Sequence, residues 1–180
     1  MGLMPWKRPA TLPSGRVRRS LTGSRDMSPT TTAFRLACEA DLDAIHALLV
    51  DDAIARSRSG FAEAVTPAVR EAFAEILRNP FDELWVGERG GEIVATLQLT
   101  ILHGLSRGGM KRALVEAVRV RADLRGQGIG EALMRAAMDR ARARGCGVIQ
   151  LTSDLRRIDA HRFYARLGFH NSHAGFKCTA

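Results

Sequence analysis

The sequence predicts a mixed α/β fold, a single sheet carrying helices. Three observations lead there. Apolar runs of strand length alternate with stretches of helical periodicity. Gly90-Gly91 joins two such runs as a two-residue hairpin. Three alternating glycines, Gly126, Gly128 and Gly130, separate an apolar strand from a long amphipathic helix.

The elements follow in order. A short strand is expected around Thr32 to Leu36. The next stretch spaces Leu42, Ile45, Leu48 and Leu49 as one buried helical face, with Asp41 as its N-cap. "RSRSGFAEAVTP" reads as a loop ending in Thr66-Pro67, an N-cap followed by proline at the first helical position. The helix after it gathers Val69, Phe73, Ile76 and Leu77 on one side and breaks at Asn79-Pro80.

"ELWVGER" and "EIVATLQLTIL" form the hairpin arms, and "HGLSRGGMK" is a polar glycine-rich loop. "RALVEAVRV" alternates Leu114, Val118 and Val120 with Ala113, Val115 and Ala117. A strand apolar on both faces belongs inside a sheet. A helix from Ile129 to Arg144 ends at Gly145. A strand "GVIQLTS", a short helix "RIDAHRFYARLG" and a last strand pair near "FHNSHAGFKCT" complete the chain.

Composition narrows the class. The chain has 180 residues, 46% of them hydrophobic, enough for one domain with a real core. No run approaches the roughly 18 apolar residues of a membrane span. The net charge of +8 is unevenly placed: the first 27 residues carry Lys7, Arg8, Arg16, Arg18, Arg19 and Arg25 against Asp26 alone. This proline-, glycine- and arginine-rich leader lacks periodicity and is expected to be disordered. Met27 is an alternative start; a targeting or RNA-binding arm is the other option for the leader. Residues 28–180 are expected to form the folded domain.

Cys38, Cys146 and Cys178 are too few and too scattered for a disulfide framework or zinc site, which fits a reducing, cytoplasmic setting. His161, His170 and His173 lack a ligand-spaced partner, so no metal is expected.

The glycines carry the functional signal. A helix start offers unpaired N–H groups and the positive end of the macrodipole. Glycines admit a phosphate to those amides, and Arg125 adds a charge beside them. Walker A requires a lysine that is missing here. The dinucleotide spacing fails because Glu131 stands where its third glycine belongs.

"RGQGIG" after "VRV" instead resembles the acyl-CoA pyrophosphate loop of the GNAT superfamily of N-acetyltransferases, and "AHRFYARLGF" resembles the same family's C-terminal "A…FY…LGF" helix. The resemblance spans roughly residues 32 to 178. It implies a central mixed sheet of about six to seven strands, splayed between strands four and five and flanked by about four helices. It also implies acetyl-CoA as acyl donor. The amides of Arg125, Gly126, Gln127, Gly128, Ile129 and Gly130 would hold the pyrophosphate, and Val118, Arg119 and Val120 would pair with the pantetheine arm.

By the same resemblance Tyr164, the chain's one tyrosine, is the acid that protonates the departing thiolate. Glu116, in an apolar row on its strand, is the candidate base, with a structural ion pair as the alternative. Arg157 stands where the family often has an asparagine facing the cofactor arm, and could reach a CoA phosphate instead.

Arg56, Arg58, His103, Arg107 and Lys111 flank the expected acceptor region, either as a solvated rim or as an inward set attracting an acidic group. The acceptor implied is a primary amine on a small molecule or a protein, attacked directly in a ternary complex by a monomer or homodimer. A non-catalytic acyl-CoA-binding module is the alternative, and a nucleic-acid binder using the leader is a third class.

Overall fold

The computed structural model describes residues 31–57 and 61–178; the leader lies outside them. The strands are β1 (Ala33–Leu36), β2 (Asp82–Arg89), β3 (Glu92–Leu102), β4 (Lys111–Val120) and β5 (Cys146–Leu151). The helices are α1 (Leu42–Val50), the single turn α2 (Ala53–Arg56), α3 (Pro67–Arg78), the single turn α4 (Ser106–Gly109), α5 (Ile129–Ala143) and α6 (Ile158–Arg166). Spatial order equals chain order, β1-β2-β3-β4-β5. The first four strands pair antiparallel, and β5 joins β4 in parallel.

Local chemistry explains most boundaries. Thr66 accepts a hydrogen bond from the Val69 N–H at 3.2 Å, with Pro67 at the first helical position of α3. Gly90 and Gly91 have φ of 61° and 83°, as a tight hairpin of this twist requires. Asp41 precedes α1 but does not cap it. Its carboxylate accepts from the Cys38 N–H at 2.8 Å and takes a bidentate pair from Arg35 at 2.7 and 2.9 Å. The stronger charged partner wins over the helix end.

Two apolar layers sandwich the sheet. On one face α5 buries Ile129, Leu133, Met134, Ala137 and Ala141 against Leu97, Leu99, Ile101, Ala113 and Val115. On the other, α1 and α3 bury Leu42, Ile45 and Phe73 against Leu84 and Val86.

Two expectations change. The sheet has five strands among the described residues, because 169–178 form no strand. That segment is mostly polar, its Phe176 is exposed, and it offers no alternating apolar face to bury. The regular alternation expected for β4 is also broken. Gln98 pairs with Glu116 and Thr96 with Arg119, so Ala117 and Val118 together oppose Leu97. Ala117 adopts φ of 55°, a β-bulge. Val118 and Val120 consequently pack with Ala113 and Val115 against the α5 layer, and no longer share a face with Leu114.

The bulge sits at a second discontinuity. Pairing of β4 with β5 ends at Val115 and Leu151, although β4 runs on to Val120 against β3. From residue 116 onward one edge of β4 is therefore open, producing the splay expected between strands four and five.

Candidate active site

The open seam leads directly to the glycine junction. After β4 a short 3-10 turn, Ala122–Leu124, passes the chain to Arg125. Gly126 and Gly128 have φ of 77° and 80°, and a Cβ placed on either would meet no atom within 4 Å. Left-handed backbone with free space above it describes a surface a phosphate can approach. Gly128 is the N-cap of α5 and no side chain caps that helix end. Gly130 differs: it lies within the first turn, where a Cβ would make ordinary contacts with Val120 Cγ2 and Phe163 Cζ at 3.4 and 3.7 Å.

Side chains brace this junction. Arg125 Nε donates to the Val120 carbonyl at 3.1 Å, and Gln127 Nε2 donates to the Asp123 carbonyl at 3.3 Å. Arg89, from the end of β2, donates to Gln127 Oε1 at 2.9 Å. Along the seam, Arg119 Nη1 donates to the Val118 carbonyl at 2.8 Å. Past Val115, β4 has no β5 partner on this edge. Across the seam, two residues beyond Leu151, the Ser153 hydroxyl is buried with no hydrogen-bond partner among the described residues. An orphaned hydroxyl beside an open strand edge fits a polar ligand arm. A separate concavity of about 380 Å³ lies between α5 and α6, lined by Glu131, Phe163, Arg166 and Leu167.

Tyr164 stands on α6, half-buried against Phe163 and Phe169 with ring centroids 5.2 and 6.0 Å away. Burial pushes its hydroxyl above the ordinary tyrosine value, and the positive charges of Arg119 and Arg157 partly oppose that. It is a protonated donor at neutral pH.

Glu116 sits at the first position past the last β4–β5 pair, but it is exposed. The bulge separates it from Val118, so the apolar row expected to desolvate it does not exist. Arg157 occupies the N-cap position of α6 and does not reach toward the glycine junction. Its Nη2 lies 2.6 Å from Asp52 Oδ2, and Arg119 Nε lies 3.5 Å from the same oxygen. The Arg157 side chain is thus held in an ion pair with Asp52.

The flanking cations do not converge. Arg56 donates to the Val50 carbonyl, His103 stacks on Phe81, and Lys111 reaches the Arg144 carbonyl at the far end of β4; Arg58 lies outside the described residues. A larger hollow, lined by Arg35, Asp41, Glu88, Glu92 and Arg121, is far from Tyr164 and spanned by paired charges. Cys146 is at the closed end of the β4–β5 pair, opposite Lys111, and burial raises its thiol pKa, so it is no nucleophile for this site. Among the described residues no group of three or more His, Cys, Asp or Glu could hold a metal. Among the described residues no helix is long and apolar enough to cross a membrane.

Asp52, Ser153 and Arg89 escaped sequence reasoning. Asp52 follows a helix and Ser153 follows a strand, positions where polar residues are common, and Arg89 acts through a hairpin contact 38 residues distant.

Known proteins bear on this geometry. A family model described as "Acetyltransferase (GNAT) family" matches residues 42–169. The chain is 31% identical over 143 residues to an aminoalkylphosphonate N-acetyltransferase of Salmonella typhimurium, covering 79% of this chain and 88% of that one. A Bacillus halodurans C-125 structure described as a transcriptional regulator superposes with a TM-score of 0.79 at 41% identity, covering 83% of this chain and all of that one. A Clostridium acetobutylicum protein described as a predicted acetyltransferase, solved with acetyl-CoA, shares the fold at 15% identity and a TM-score of 0.66, covering 83% and 96% of the two chains. The family match runs from α1 through α6 and so contains the seam, the glycine junction and Tyr164 in one frame: the chain belongs to the GNAT acetyltransferase family.

Proposed function

We propose that this enzyme transfers the acetyl group of acetyl-CoA to a primary amine of a small molecule, by direct attack within a ternary complex. The reading is supported by the unobstructed left-handed glycine junction at the start of α5, the edge of β4 that β5 leaves unpaired past Val115, and the protonated Tyr164 on α6. The Salmonella relative's name, which pairs a transferase with a small aminoalkyl acceptor, supports a small molecule over a protein amine.

Acetyl-CoA supplies, when bound, an acyl group activated as a thioester. The backbone from Arg125 through Gln127 and Ile129 to Gly130, freed of side chains at Gly126 and Gly128, holds the diphosphate at the positive end of α5. The open edge at Val118 to Val120 faces the acyl-bearing arm, and an N–H there stabilises charge developing on the carbonyl oxygen. Tyr164 would give its proton to the departing sulfur as the C–N bond forms and the C–S bond breaks, and the second proton shed by the acylated nitrogen would return to the tyrosine through solvent. Glu116, exposed at the mouth of the seam, takes the proton of the acceptor ammonium directly or through water.

The test is thiol release from acetyl-CoA with a panel of small primary amines. Wild-type protein is expected to turn over at least one, and Tyr164→Phe is expected to lower kcat about 100-fold at neutral pH while leaving the thermal midpoint in place. Stabilisation by acetyl-CoA without turnover of any amine would instead identify a binding module.

A further inference from the structure

The loop that carries the chain from β4 into α5 is fastened to the β2–β3 hairpin at two points. At its start Arg121 donates through Nη1 to Glu92 Oε2 at 2.7 Å and through Nε to Asp123 Oδ1 at 2.8 Å. Near its end Arg89 Nη1 donates to Gln127 Oε1 at 2.9 Å, and Gln127 Nε2 donates to the Asp123 carbonyl at 3.3 Å. Arg89 and Glu92 are the last paired residues of the hairpin, opposite each other across Gly90-Gly91. The start of the loop is also held by backbone, since the Arg121 N–H donates to the Val94 carbonyl at 2.9 Å. At Gln127 the tie to the hairpin is made by side chains.

Gln127 is where such a tie matters. It stands between Gly126 and Gly128, both in left-handed backbone with φ of 77° and 80°. Glycine has more conformational freedom than any other residue, so the peptide planes beside it turn readily unless something fixes them. Gln127 carries the one side chain of this three-residue stretch, and both ends of its amide are engaged, the oxygen by Arg89 and the nitrogen by Asp123. The chain between two permissive residues is thereby fixed before a ligand arrives. A site ordered beforehand binds more tightly, because less freedom is lost on binding.

We infer that Arg89 and the Gln127 side chain are positioning residues for the acyl donor: they hold the backbone amides around Gly126 and Gly128 in the arrangement that receives its diphosphate. The inference rests on the proposed diphosphate site and adds to it a residue of another strand, 38 positions away and outside the glycine motif. Both contacts of the Gln127 amide are exposed, and exposed polar contacts contribute little to global stability. Their loss is therefore read in affinity and not in folding. Arg89 acts through Gln127 and touches no reacting atom, so its effect falls on KM for acetyl-CoA rather than on kcat.

The experiment measures, by calorimetry on the full chain, dissociation constants for acetyl-CoA and for S-acetylpantetheine, which lacks the diphosphate and the nucleotide. Gln127→Ala keeps the backbone amide and the net charge, so a loss there reports the tie and not long-range attraction. It is expected to raise the acetyl-CoA constant about fivefold, the scale of one hydrogen bond, with S-acetylpantetheine binding and the thermal midpoint of the free protein unchanged. Arg89→Ala should raise the constant at least as much in the wild type, and clearly less in the Gln127→Ala background. An unchanged acetyl-CoA constant in Gln127→Ala would overturn the inference. So would an Arg89→Ala effect of the same size in both backgrounds, the behaviour of a cation that attracts the ligand directly.

The second ligand keeps the two readings apart. A wild type that binds acetyl-CoA no more tightly than S-acetylpantetheine would sink the diphosphate site itself. A wild type that prefers acetyl-CoA, with that preference intact in both variants, would sink only the tie.

Discussion

The two ends of α5 are built on opposite principles. At its C-terminal end Arg140 and Arg144 converge on Glu83 of β2, whose carboxylate is 6% exposed. It accepts from Arg140 at 2.7 to 2.9 Å, from Arg144 at 2.7 Å and from the Trp85 indole at 3.2 Å. Burial works to raise the Glu83 pKa, but the Arg140 contacts outweigh it and hold the carboxyl below its usual range. At the N-terminal end there is no side-chain cap, the glycines leave open space, and the helix dipole faces outward. One end satisfies its charges internally and anchors the helix. The other leaves its donors without a side-chain cap, so the anchoring charges and the proposed diphosphate site stand at opposite ends of α5.

Breaking the anchored end should cost most. Glu83→Ala leaves Arg140 and Arg144 without their shared partner and is expected to lower unfolding free energy by about 3 kcal/mol, the low side for a buried pair because Arg140 can rehydrate. Denaturant titration checks this, and the acetyl-CoA dissociation constant measured on the folded fraction should stay near that of the wild type. A large loss of affinity would mean that the two ends are coupled.

The open end should answer differently. Gly128→Glu forces an ordinary residue into left-handed backbone and sets a negative charge where phosphate belongs. Acetyl-CoA at about 100 times its dissociation constant should stabilise the wild type by about 2.7 kcal/mol, and that gain should vanish in the variant. A thermal shift retained in Gly128→Glu would show that the diphosphate is held elsewhere.

A smaller effect tests whether charge anchoring extends to the far edge of the sheet. Arg35 holds Asp41 at a pKa of about 2, below its ordinary 3.8. A depressed carboxylate contributes stability that is complete above the unfolded value and is lost as pH falls through the folded one. Acid titration should therefore show about 1 kcal/mol lost between about pH 4 and pH 2, a figure discounted because Arg35 is partly exposed. Asp41→Asn should remove that portion of the acid dependence; an unchanged acid limb would exclude this pair as its source.

Much of this architecture was legible because local rules and tertiary structure agreed. Gly90-Gly91, Thr66-Pro67 and the face of α1 are set by neighbouring residues and appear where expected. The glycine junction stands out because phosphate approach imposes a residue type at short spacing, whereas Tyr164 was singled out by a resemblance to a family motif; the roles of both belong to the proposed function. What escaped was non-local. Asp41 looked like a cap until Arg35 claimed it. Arg157 was placed by its position relative to Tyr164, and nothing in spacing shows that Asp52, 105 residues earlier, would pair with it. Glu116 looked desolvated because alternation was read straight through Ala117, where the backbone turns aside.

That one alanine has a further consequence, which concerns how the chain tolerates change in length. Omitting Ala117 would leave every side chain of β4 facing as it now does, since Val118 would simply take the vacant place opposite Leu97. The core would keep its composition, and β4 would gain a regular ladder in place of a strained residue. Yet the strand would then have no cause to turn from β5, and the seam would be free to zip shut. A shortened chain of this kind would keep its core but lose the open edge to which the proposed cosubstrate arm is assigned, so the length of β4 bears on the proposed site as directly as its side chains do.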